Sequence, residues 1–216
     1  MSEKETICVR ILTENAKMDI AVARWWGWAA RRFPEWDIDY FYSTAGPDQL
    51  RNECLREFAD SDFDRLWMID QSVVPPFSRE LLQHDFPVLC GIVDNYKKEM
   101  GAWPEVFQRN EEGAFSLYMA PEWPEEKVIR AAAASSKCMV IKKSALMEVP
   151  EPYFQTVWDE KRGRLHADAY FGEKMGGVHV LTGFQCHRYA EISLAEVKEI
   201  SMVAFQALAN AREGRP

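Results

Sequence analysis

The sequence predicts an α/β fold in which a mostly parallel central sheet is covered by helices. Two observations predict it. Short apolar runs that suit strands alternate with segments whose apolar residues recur at helical spacing, and that alternation implies parallel strands joined by right-handed crossovers. One run, Leu66-Trp67-Met68-Ile69, is continuous, stops on Asp70 and is followed by Pro75 and Pro76. This is the pattern of a strand buried on both faces, with a carboxylate at the end where open α/β sheets bind their ligands.

The elements follow in order along the chain. Thr6 to Leu12 alternates as a first strand, ended by Thr13-Glu14-Asn15, residue types that favour turns and caps. Met18, Val22, Trp25, Trp26, Ala29 and Phe33 recur at helical spacing up to Pro34. Trp36 to Tyr42 reads as a second strand, and Leu50, Cys54 and Phe58 mark one face of a helix starting near Pro47. The strand ending at Asp70 precedes a short helix over residues 77–84 and a fourth strand, Phe86 to Val93.

Beyond Val93 the alternation fails. Residues 94–130 hold three prolines and two short strand-like pieces, Trp103 to Gln108 and Ala114 to Met119, which suggests a hairpin and a binding loop. Lys137 to Ile141 is expected as a strand, Lys143 to Glu148 and Asp168 to Met175 as short helices, and Gly176-Gly177 as a stop. Val178 to Leu181 and Phe184 to Cys186 read as two short strands. A closing helix, Ser193 to Ala211, opens on the capping box Ser193-Leu194-Ala195-Glu196. The economical organisation is one domain over residues 6–190, with residues 191–216 as a helix packed on it, whose apolar face is large enough for a homodimer contact.

Composition narrows the function classes. The 216 residues carry a net charge of −8, and the densest basic clusters are only Lys97-Lys98, Lys142-Lys143 and Lys161-Arg162-Gly163-Arg164, which argues against nucleic acid as a partner. The five cysteines are odd in number, widely spaced and set mostly in apolar runs. They read as reduced core residues, favouring a cytoplasmic location, and the absence of any CxxC pair removes thiol redox motifs and zinc ribbons. The charged N-terminus runs straight into a strand, so neither a signal peptide nor a membrane span is expected. Most of the eight tryptophans should be core. Trp103 and Trp123 each stand beside a proline, where an exposed ring could stack on a sugar or a base, although scattered exposed aromatics need no function.

Three separated residues share a chemistry: Asp70 at a strand end, Asp168 at the start of a short helix and His187 at a late strand end. A divalent ion on a diphosphate needs hard oxygen donors and tolerates an imidazole, while a hydroxyl nucleophile needs a carboxylate base. The bland roles stay open beside these: a turn cap for Asp70, a helix cap for Asp168, a satisfied interior histidine for His187, solvated helix residues for Arg51 and Asn52.

Several motifs extend the pattern. Trp67-Met68-Ile69-Asp70-Gln71-Ser72-Val73-Val74-Pro75-Pro76 is similar to an apolar strand that ends in Asp-x-Asp before hydrophobic residues and proline. Arg51-Asn52 is similar to an Arg-Asn pair opening the preceding helix, and Thr13-Glu14-Asn15 to a first-strand turn. Ser135-Ser136-Lys137-Cys138-Met139-Val140-Ile141 is similar to a strand after a small-residue run, Ala167-Asp168-Ala169-Tyr170-Phe171 to a Glu-Asp-x-x-Phe helix, and Gln185-Cys186-His187 to a closing metal-ligand histidine. In this order, over roughly residues 6–190, the chain resembles the GT-A glycosyltransferases of the family 2 type.

The resemblance implies a GT-A three-layer sandwich with a mostly parallel sheet, and transfer of a sugar from a nucleotide sugar of UDP or GDP type to an acceptor hydroxyl with inversion. It implies that Asp70 and His187 hold Mn or Mg on the diphosphate, that Thr13, Asn15, Arg51, Asn52, Asp70, Gln71 and Ser72 line the donor, and that Asp168 is the base. Two expected acids are replaced, by Ser72 and Ala167, which implies a weakly bound metal and leaves catalysis in question. Lys137 stands where glycine is usual. The alternative is a non-catalytic GT-A like protein that binds nucleotide or a partner. A sugar nucleotidylyltransferase would need a Gly-rich loop after the first strand, and Thr13-Glu14-Asn15-Ala16-Lys17 has no glycine.

Overall fold

The computed structural model describes residues 5–15, 17–97, 101–119, 123, 127–159 and 163–188, so the expected closing helix lies outside the described residues. The chain runs β1 (Ile7–Thr13), α1 (Ile20–Arg32), β2 (Asp37–Tyr42), α2 (Pro47–Asp60) and β3 (Arg65–Asp70). Asp19 caps α1 by accepting a hydrogen bond from the Ala21 N–H at 2.7 Å, and Pro47 starts α2, where its missing N–H costs nothing. β1 pairs in parallel with both β2 and β3.

The regularity then breaks. A two-residue strand, β4 (Val73–Val74), follows β3, and a 3₁₀ turn at Glu80–Gln83 replaces the expected helix over 77–84. β5 (Val88–Lys97) carries the chain to the end of the sheet where β1 and β3 finish, here called the rim. Beyond it come β6 (Gly101–Pro104), β7 (Val106–Arg109), β8 (Phe115–Leu117), β9 (Val128–Ala131) and β10 (Ala133–Ala134). β11 (Cys138–Lys142) re-enters between β3 and β5, antiparallel to both.

The central sheet is therefore mixed, and the expected mostly parallel sheet is corrected. The cause is where the excursion ends. β9 runs back along the last strand, β14 (Val178–Arg188), towards the start of β5, but β10 then pairs with β7 and the Lys137 carbonyl accepts from the Asp70 N–H, so the chain is at the rim again when β11 begins. A parallel strand would have had to start from the far end. After α3 (Lys143–Leu146), the hairpin β12 (Val157–Asp159) and β13 (Gly163–Leu165), and α4 (Ala167–Lys174), the sheet is completed by β14 (Val178–Arg188). β14 is one strand rather than the expected two, parallel to β5, with its register shifting between Val180 and Gln185. The strand order is β2-β1-β3-β11-β5-β14-β4.

β3 is buried on both faces, as its continuous apolar run requires. Leu66 and Met68 join the cluster formed by Leu50, Cys54, Leu55 and Phe58 of α2, Leu146 of α3 and Phe171 of α4. Trp67 and Ile69 point the other way, onto Val22, Trp25 and Ala29 of α1. Each such side chain contributes about 2 kcal/mol on leaving water. Trp67 meets Trp25 edge-on with ring centroids 5.2 Å apart. All five cysteines are buried and unbridged. Among the described residues no helix is long and apolar enough to cross a membrane.

Candidate functional site

The polar residues of interest gather at the rim. Asp70 is the last residue of β3, fixed by its N–H donating to the Lys137 carbonyl at 2.8 Å. Ser72 folds back on it, donating its N–H at 3.0 Å and its hydroxyl at 2.7 Å to Asp70 Oδ1. Arg51 enters from the first turns of α2 and is only 7% exposed. Its Nη1 donates to the Pro47 carbonyl at 3.0 Å, its Nη2 stands 3.6 Å from Asp70 Oδ2, and its Nε is buried with no hydrogen-bond partner. A buried donor without an acceptor is costly, and such groups occur at sites that await one.

Asp168 lies in the first turn of α4. The Ser136 hydroxyl donates to its Oδ1 at 2.5 Å, and the Ser136 N–H approaches the same oxygen at 3.3 Å. Burial pushes the Asp168 carboxyl above its ordinary range, opposed first by the Arg51 charge and then by the Ser136 hydrogen bond. α4 can come this close because Gly172 has no side chain: a Cβ there would collide with the Ala132 carbonyl oxygen and lie 2.8 Å from Ala133 Cβ. Beside Asp70, Lys137 donates to both oxygens of Glu105 at 2.8 and 2.7 Å, and the Ser135 hydroxyl reaches Glu105 Oε2 at 2.6 Å. Arg51 thus pairs with Asp70 and Lys137 with Glu105, and all four but Asp70 also act electrostatically on Asp168.

The other expected donor-site residues divide. The Thr13 hydroxyl at the end of β1 lies 2.6 Å from Gln71 Oε1 and 2.9 Å from the Lys17 carbonyl, so it donates to one of them, while the Gln71 N–H donates to the Leu12 carbonyl. Asn15 is exposed and accepts from the Lys17 N–H at 3.1 Å in a local turn. Asn52 is bound to the backbone of Phe154. Its Nδ2 donates to the Phe154 carbonyl at 2.7 Å and its Oδ1 accepts the Phe154 N–H at 2.8 Å, which makes it a clamp on the loop before β12. Trp123 is held by donation to the Tyr118 carbonyl at 2.9 Å, and Trp103 is partly buried in β6; the tryptophan that stands out, 77% exposed, is Trp158 on β12.

His187 reaches the rim by a curl in β14. Only Gln71 and Ser72 separate β3 from β4, a reach of at most about 11 Å, whereas β11 and β5, at about 4.8 Å per strand, lie between β3 and β14. β4 nevertheless pairs with the tail of β14, His187 opposite Val74 and Arg188 opposite Val73. The tail therefore swings across the rim towards Asp70, and it does so just past the shift in its register. His187 is exposed there.

These donors do not suit a resident divalent ion. Among the described residues no three His, Cys, Asp or Glu side chains converge. Of the expected acids at the strand end only Asp70 is present, with Oδ1 occupied twice by Ser72 and Oδ2 turned to a guanidinium. Mg and Mn need several oxygens in a regular arrangement, and the expectation that Asp70 and His187 form a metal centre finds no third ligand here.

Comparison with solved structures places this architecture. The chain superposes on GalNAc-T7, solved with UDP, GalNAc and Mn2+, over 89% of its own length and 45% of that chain, with a TM-score of 0.51 and 10% identity. The fold is GT-A-like. The chain also superposes on A197 from STIV over 86% of both chains, with a TM-score of 0.60 and 15% identity. At these identities the likeness is one of fold. No family model and no curated protein matches the sequence.

Within the GT-A-like fold, the structure adds Ser136, Glu105 and Lys137 to the residues around Asp168. Ser136 and Lys137 lie in the small-residue run before β11, and their place in the sequence marked them. Glu105 carries no such signal, since only the path of the excursion brings it to Lys137.

Proposed function

We propose that the chain is a glycosyltransferase that moves a sugar from a UDP- or GDP-type nucleotide sugar to an acceptor hydroxyl, with inversion. The observation that carries this reading is the meeting of Arg51, Asp70 and Asp168 at the rim of a GT-A-like sheet. Asp168 takes the proton of the acceptor hydroxyl, and a carboxylate whose proton affinity is raised by burial is the better base. The oxygen attacks the anomeric carbon, the bond from that carbon to the diphosphate breaks, and the nucleoside diphosphate leaves with the electron pair. Arg51 meets the leaving charge, Ser136 fixes Asp168 Oδ1, and no step is assigned to a metal.

A second reading has its own support. Ser72 is spent on Asp70, and Ala167 supplies no carboxylate beside Asp168, which suits a protein that binds a nucleotide without transferring a sugar. Release of UDP or GDP from a panel of nucleotide sugars separates the two. Slow release by the wild type, abolished in Asp168→Asn, is expected of the enzyme. Nucleotide binding without turnover moves the assignment to the non-catalytic reading.

A further inference from the structure

Resting on the nucleotide-sugar reading, we infer that the donor diphosphate is neutralised by the Arg51 guanidinium without a divalent cation, and that Asp70 is a positioning residue for that guanidinium rather than a metal ligand. Asp70 is already committed as an acceptor. Ser72 fills Oδ1 with two hydrogen bonds at 3.0 and 2.7 Å. A divalent ion on Oδ2 would lie within a few ångströms of Arg51, whose Nη2 is 3.6 Å from that oxygen, and two cations so placed repel each other where little water screens them.

Arg51 has what the carboxylate lacks, an unused valence. Its Nε is buried without an acceptor, although the residue is more than nine-tenths covered. Nε and Nη2 form the side-on fork of a guanidinium, which matches two oxygens of one phosphate. The Nη2 contact with Asp70 is longer than a hydrogen bond, so the carboxylate does not close the fork. The Pro47 carbonyl fixes the remaining nitrogen, Nη1, at 3.0 Å, and the guanidinium carbon stands 6.0 Å from the centre of the Phe154 ring. Lys137, the other cation that acts on Asp168, is paired with Glu105 and adds no uncompensated charge. Binding that rests on one guanidinium falls as salt is added.

The test is calorimetric titration of UDP and GDP into the full chain, in EDTA and in Mn or Mg. The inference expects dissociation constants equal within about twofold in the two buffers. Arg51→Gln should weaken binding about tenfold or more in EDTA, the size of a lost charge-assisted contact, and Arg51→Lys, which keeps charge but loses the fork, should fall between. Thermal melts of both variants check that the fold survives. Asp70→Asn, which loosens the placement of the guanidinium, should weaken binding by the same factor in EDTA and in Mn; a loss confined to the Mn buffer would make Asp70 a metal ligand and overturn the inference. Binding that requires Mn or Mg, or an Arg51→Gln protein that melts normally and binds as wild type, overturns the inference and leaves the donor reading standing. Failure of both nucleotides to bind in any buffer removes the donor reading and the inference together.

Discussion

The Ser136 hydroxyl donates to Asp168 Oδ1 at 2.5 Å, so the run that leads into β11 is joined to α4, 32 residues further on, at the group expected to act as base. Burial raises the folded-state pKa of that carboxyl and the hydrogen bond lowers it. Ser136→Ala therefore moves the Asp168 titration upwards, which carboxyl NMR on labelled protein reads directly. The stability linked to this group is fully present below its unfolded pKa and is lost as pH rises through the raised folded value. Asp168→Asn should accordingly melt higher than wild type at neutral pH. A lower melting temperature would mean that the ionised carboxylate is a net stabiliser.

Asn52 holds Phe154 by two hydrogen bonds, at 2.7 and 2.8 Å. Asn52→Ala leaves an N–H and a carbonyl without partners and should cost about 2 kcal/mol, lowering the melting temperature by roughly 4–8 °C. Nucleotide affinity should not change. A tenfold loss of UDP or GDP binding with an unaltered melt would return Asn52 to the donor site.

Glu105 and Lys137 are paired at 2.7 Å with side chains 11% and 18% exposed. Removing one partner leaves the other charge uncompensated, so Glu105→Ala should destabilise by about 3 kcal/mol in denaturant titration. The double variant Glu105→Leu with Lys137→Met should recover most of that loss, because an apolar pair of similar volume needs no compensation. A double variant as unstable as the single one would show that the pair itself holds the rim together.

Burial pushes the thiol of Cys8 up to about 12, and those of Cys54, Cys90 and Cys186 upwards as well. With all five cysteines buried and unbridged, the native protein at pH 8 should react with a thiol reagent only as fast as it unfolds, and guanidinium should expose five equivalents. A fast-reacting thiol in the native state would place one of them in an open pocket.

Much of this architecture can be read along the chain. β3 is legible as a continuous apolar run, β1 as an alternating one and β2 as a short stretch of Ile, Tyr and Phe, each bounded by turn residues, and Asp70 and Asp168 stand out because each sits where an element begins or ends. The direction of β11 is not legible: its residues would form the same buried strand either way up, and only the path of the excursion decides it. Ser72 is visible as a substitution, but not as the residue that closes on Asp70, since that depends on the turn geometry. Asn52 was expected to line the donor, and its bonds to the Phe154 backbone, more than a hundred residues later in the chain, carry no signal in the sequence.

The curl of β14 ties the order of synthesis to competence. β4 is made early, yet its partner residues, His187 and Arg188, lie 113 and 115 positions further on, opposite Val74 and Val73. Contacts of such sequence separation are slow to form because the chain loses loop entropy before they can stabilise it. A nascent or truncated protein that ends before β14 has Asp70, Arg51 and Asp168 but an unclosed rim. On the donor-site reading proposed above, a copy that stops before β14 has no closed rim in which to trap a nucleotide.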